Sequence, residues 1–106
     1  MGADAFWAWA ELEGMNLVAG YRIILSPGAK RALTSALPPA AAFAAMEFMK
    51  GPLAESPKKV GAPLKEPFAG QYRARRGDYR IRYRTDDANQ TVYVLLVTHR
   101  REVYRS

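Results

Sequence analysis

Cysteine is absent from the 106 residues, and histidine occurs once, at His99. A disulfide framework, a thiolate metal site and a multi-histidine metal site are all excluded. This composition suits a reducing compartment, and a cytoplasmic location is the expectation. Long hydrophobic runs are missing as well. The opening stretch "MGADAFWAWAELEG" is too short to span a bilayer and lacks the basic start of a secretory signal. No basic amphipathic helix is visible, so no membrane partner is indicated. Basic residues are scarce in one half only. Residues 58–106 carry twelve basic and five acidic side chains, net +7, while residues 1–57 carry four and five, net −1. That imbalance fits a polyanionic partner, of which nucleic acid is the commonest.

A chain of this length supports one domain with a modest core. Residues 1–14 read as an N-terminal extension before a domain at 15–106. Phe6, Trp7, Ala10 and Met15 could form a short helix with an apolar face, an alternative use being to dock a partner. "YRIILS" (21–26) reads as a buried strand between Gly20 and Pro27. Ser26–Pro27 is an N-cap and first-turn pair, and Ala29, Leu33, Ala36 and Leu37 recur at helical spacing. Pro38–Pro39 ends that helix and opens a second over 39–50, expected to bury Phe43, Met46 and Met49. Residues 53–69 read as an ordered loop with Val60 and Leu64 tucked in. Strands are expected at 70–76, 79–84 and 91–98, with "DDANQ" (86–90) as the intervening turn. The last strand is so continuously apolar that a central place in the sheet is expected. The order is β-α-α-β-β-β: an α+β fold with an αα-hairpin packed on one face of a mostly antiparallel sheet.

The stretch "GQYRARRGDYRIRYR" (70–84) holds six arginines in fifteen positions. Gly77–Asp78 suits a two-residue hairpin loop. That register sets Arg75 opposite Arg80, Ala74 opposite Ile81, Arg73 opposite Arg82 and Tyr72 opposite Tyr83. Side chains alternate between faces, so the tyrosines, Ala74 and Ile81 share one side and the four arginines the other. Like charges facing across a strand pair are destabilising. A bound anion would supply the missing charge, and phosphate suits the planar guanidinium fork. The "RGD" at 76–78 is read as the turn itself.

The chain ends "VTHRREVYRS", crowding His99, Arg100, Arg101, Tyr104 and Arg105 beyond the last strand. Taken singly, a histidine or tyrosine there is structural. Together, beside a basic face, they suit RNA cleavage by the RNA's own 2′-hydroxyl. That chemistry needs a base, donors for the phosphate charge and an acid for the leaving oxygen. No metal or other cofactor is required, and Asp86–Asp87, the one adjacent carboxylate pair in this half, read as turn formers.

The segments "SPGAKRAL", "SPKKVGAPLKEPFAGQYRARRGDYRIRY" and "HRREVYR" come in the order found in the RelE/ParE superfamily of bacterial toxins. From about Tyr21 to Arg105 the chain resembles that superfamily, its RelE branch more closely. The resemblance implies the α+β fold above and a ribosome-dependent mRNA endoribonuclease, the toxin of a toxin–antitoxin pair. It implies a cognate acidic antitoxin, bound in a hetero-oligomer, with ribosome and mRNA as further partners. Arg80 matches the family's phosphate-stabilising arginine. Arg73 and Arg75 stand where basic residues, often lysines, stabilise charge. Arg100 matches a leaving-group arginine, Tyr104 a catalytic tyrosine, and His99 a position where some members exchange protons. Arg76, Arg82, Arg84, Arg101, Lys58, Lys59 and Lys65 are the expected RNA-contacting set. A ParE-like gyrase inhibitor acting by binding, or a non-catalytic nucleic-acid binder or decayed toxin, is the alternative.

Overall fold

The computed structural model describes residues 10–11 and 20–99. Arg100, Arg101, Tyr104 and most of the N-terminal stretch lie outside them. Six strands form one sheet: β1 (Ala10–Glu11), β2 (Arg22–Leu25), β3 (Ala62–Pro63), β4 (Gln71–Arg76), β5 (Tyr79–Asp86) and β6 (Thr91–His99). Their spatial order is β1-β2-β6-β5-β4-β3. Only β2 and β6 run parallel; every other pairing is antiparallel. The expected α+β plan is therefore observed, with two two-residue strands added at the sheet's edges. Ala10, assigned in sequence to a short helix, instead pairs with Leu25 at the edge of β2.

Helix α1 (Pro27–Arg31) starts where the Ser–Pro pair requires. The Ser26 hydroxyl accepts the Ala29 N–H at 3.0 Å and so caps the first turn. A wider turn, Ala32–Ala36, follows, and the Leu37 N–H donates to the Ala32 carbonyl at 2.9 Å. Helix α2 (Pro39–Phe48) runs into a second wide turn, Met49–Leu53, containing Pro52. Proline has no N–H to give the α-helical ladder, so the backbone loosens there.

The helices cover one face of the sheet. Ile23, Leu25, Ile81, Tyr83, Val92, Val94 and Val97 meet Ala29, Ala45, Phe48, Met49 and Leu53 in the core. Strand β6 is central, as its sequence suggests, yet Leu96 on it is 40% exposed because only one face is covered. Phe43 is not buried: it is 66% exposed, and Ala41, Ala42, Ala45 and Phe48 take the inward stripe. These small side chains and Phe48 take the buried side of α2, and Phe43 falls on its outward side. Met49 is buried and Met46 partly so, as expected. In the 53–69 segment Val60 packs against the core and Leu64 is half-buried.

Candidate functional site: an arginine face with a cavity

The hairpin of β4 and β5 has the register that its Gly–Asp loop dictates. Arg75 faces Arg80, Ala74 faces Ile81, Arg73 faces Arg82 and Tyr72 faces Tyr83. Gly77 adopts a positive φ of 54°, which the tight loop needs and glycine supplies without strain. Ala74, Ile81 and Tyr83 are buried under the helices, and Tyr72 stacks on Tyr83 with ring centres 5.6 Å apart. Arg73 and Arg75 are exposed on the opposite, uncovered face; Arg80 and Arg82 are half-buried there. None of the four makes an ion pair among the described residues.

The segment before β4 turns this face into a cavity of about 400 Å³, lined by Lys59 through Ala62 and by Arg73 through Arg75 with Arg80. Among the described residues, no carboxylate lines it. Three contacts hold the segment down. The Tyr83 hydroxyl donates to the Pro57 carbonyl at 2.6 Å. Gly61 lies so close that a Cβ would collide with the Tyr83 hydroxyl and sit 2.9 Å from the Arg73 carbonyl oxygen. Lys58 donates to Asp87, which also accepts the Tyr21 hydroxyl at 2.9 Å. The hydrogen bond from Lys58, then that from Tyr21, holds the Asp87 carboxyl below its usual range. The same bond raises Lys58.

The sequence-predicted residues thus separate. Arg73, Arg75, Arg80 and Lys59 are brought together. Arg82 and Arg84 continue the same face, Arg82 over the Phe68 ring at 4.8 Å and Arg84 over the Tyr93 ring at 4.2 Å. Arg76 points to the helix side and lies over Phe48 at 4.6 Å. Lys58 is engaged by Asp87 rather than turned to the cavity, and Lys65 is exposed in the turn before β4. His99 pairs with Tyr79, a helix-side residue, so the alternation of β6 puts it across the sheet from Arg80 and its partner Thr98. Arg100, Arg101 and Tyr104 lie outside the described residues. Asp86 and Asp87 act as turn formers, Asp86 accepting from the Asn89 side chain at 2.8 Å. No group of side chains suited to a metal occurs among the described residues, and no described helix is long and apolar enough to cross a membrane. Sequence reasoning missed Gly61 and Phe68. The first needed knowledge of the tertiary approach, and the second is a single aromatic in a loop without periodicity.

Among the described residues, a small α+β domain gathers guanidinium groups without ion pairs on one sheet face around a cavity, an arrangement whose charge and geometry suit phosphate esters. Comparison with known proteins supplies the family. The family model for the ParE toxin of the type II toxin–antitoxin system parDE matches residues 23–104. Toxin RelG of Mycobacterium tuberculosis is 44% identical over 85 residues, covering 80% of this chain and 97% of that toxin. Toxin RelE of the same organism is 38% identical over 85 residues, covering 80% and 87% respectively. A chain of the toxin–antitoxin complex RelBE2 from M. tuberculosis has 43% identity and a TM-score of 0.73, over 77% of this chain and 100% of that one. A chain of the archaeal RelE–RelB complex from Pyrococcus horikoshii shares the fold, at 24% identity and a TM-score of 0.55, over 76% and 96%. The protein belongs to the ParE toxin family of type II toxin–antitoxin systems.

Proposed function

We propose that this toxin is a ribosome-dependent, metal-independent endoribonuclease that cuts mRNA by 2′-hydroxyl attack on the scissile phosphate. The observation that carries the reading is the cavity formed by Arg73, Arg75, Arg80 and Lys59, with no carboxylate in its lining among the described residues. Half-buried Arg80 holds the phosphate, and Arg73 and Arg75 stabilise the charge that grows on it. Arginine stays protonated, so these three do not take the 2′ proton. Arg100 and Tyr104 are proposed for leaving-group stabilisation and proton exchange on the resemblance alone. The helix-side position of His99 gives no support for its acting on the same phosphate. Action on ribosomes and mRNA places the protein in the cytoplasm. An acidic antitoxin is the proposed partner, since two structurally similar chains come from toxin–antitoxin complexes.

Primer extension on a ribosome-bound message with the purified protein tests this reading. Cuts within the A-site codon are expected, and Arg80→Ala should lower cleavage at least a hundredfold while keeping a wild-type melting curve. A variant that cuts as well as the parent would remove the proposed site. One observation favours a second reading: the matching family model is that of ParE. A gyrase inhibitor would use the basic face for binding alone, and cells would show DNA damage with intact mRNA.

A further inference from the structure

Phe68 stands on the arginine face without being buried. The turn that carries it is fixed at both ends: the Phe68 N–H donates to the Lys65 carbonyl at 2.8 Å, and the Phe68 carbonyl accepts the Gln71 N–H at 3.0 Å. The ring lies 4.8 Å from the Arg82 guanidinium carbon, yet the residue remains 42% exposed. Arg82 Nε is enclosed with no hydrogen-bond partner among the described residues. A fold does not gain by enclosing a charged donor unsatisfied, so keeping arginine there calls for a use outside folding. Leu96, opposite Arg82 on β6, adds an apolar surface that is 40% exposed.

We propose that Phe68, backed by Arg82, is a stacking platform for one nucleobase of single-stranded RNA. The base adjoins the phosphate held at Arg73, Arg75 and Arg80. Single strands are bound by this combination of a flat aromatic surface and a basic track for the backbone. Arg80 and Arg82 are two residues apart on one strand, about 6.8 Å, which is within the reach of one nucleotide. The face carries a cationic charge that a phosphodiester complements, and its planar ring and guanidinium suit a planar base better than a rounded peptide side chain. The inference rests on the nucleic-acid part of the function proposed above and not on cleavage.

The test uses the full chain and a trinucleotide made non-cleavable by 2′-O-methyl groups, with three counterparts that each lack one base. Affinities are read by fluorescence anisotropy at fixed salt. The intact probe is expected to bind about tenfold tighter than one of the abasic probes. Phe68→Ala should abolish that ratio and leave the abasic affinity within about twofold, and Phe68→Trp should restore the ratio. Equal binding of all probes by the wild type overturns the proposal. So does a ratio that survives Phe68→Ala, including the case in which that variant loses only its hold on an acidic antitoxin peptide. A Phe68-dependent ratio in a protein that leaves ribosome-bound mRNA intact keeps this site and retires the nuclease.

Discussion

Tyr83 is fully buried, stacks on Tyr72 and gives its hydroxyl proton to the Pro57 carbonyl. It lines no part of the cavity, yet the segment carrying Lys59 and Gly61 rests on it. Burial pushes its phenol up to about 12; the neighbouring Tyr72 adds to the rise and Arg76 opposes it. A raised folded value means that the folded state holds this proton more tightly than the unfolded chain does. The contribution is therefore complete below about pH 10, the unfolded value, and is lost as pH rises through about 12. Tyr83→Phe should cost about 1–3 kcal/mol at neutral pH, because the Pro57 carbonyl loses its donor in a buried place. Between pH 10 and 12 the variant should lose less further stability than the parent. Urea titrations at pH 7, 10 and 12 check both the cost and the flattened slope.

Elements meet at Ser26. Its hydroxyl caps α1 and also donates to the Leu95 carbonyl at 2.9 Å, while its N–H donates to the Val94 carbonyl at 3.0 Å. Leu95 is the extra residue of a bulge, since Arg82 faces Leu96 but Tyr83 faces Val94. The bulge explains why Val92, Val94 and Val97 all face inward although a regular strand would alternate. Ser26→Ala removes the cap and leaves the bulge carbonyl bare, so a loss of about 2 kcal/mol is expected. Ser26→Thr should recover most of it in the same urea titration. The hairpin register and the start of α1 were legible in sequence because each is fixed by a few adjacent residues: Gly77–Asp78 in one case, Ser26–Pro27 in the other. The bulge was not, because "VYVLLV" has no polar residue to mark a slip. The buried face of α2 was not legible either, because alanines surround Phe43 and leave no apolar stripe. The arginine side of the hairpin followed from alternation alone. The side taken by His99 depended on β6 running on to residue 99, and the Phe68–Arg82 contact on a loop that no local rule predicts.

At the scale of the whole molecule, the cross-strand pairs Arg73–Arg82 and Arg75–Arg80 place like charges together without acids between them. An anion that binds the folded face and not the unfolded chain must stabilise the fold by mass action. Polyphosphate should therefore raise the melting temperature more than sodium chloride at equal ionic strength, and Arg80→Ala should cut that difference by at least half. Differential scanning fluorimetry reads the result directly, and equal shifts in both salts would show that the face selects no anion.

The parallel pairing of β2 with β6 has a consequence in time. The bond from Ser26 to Leu95 spans 69 residues, and β6 is the last described element of the chain. A lone hairpin is marginal in water, and contacts between distant segments form slowly. During synthesis, β4 and β5 emerge before the strand that joins them to the rest of the sheet. The arginine face is thus assembled only after β6, the last described element, has been made. The nascent chain carries the charges long before it carries the site.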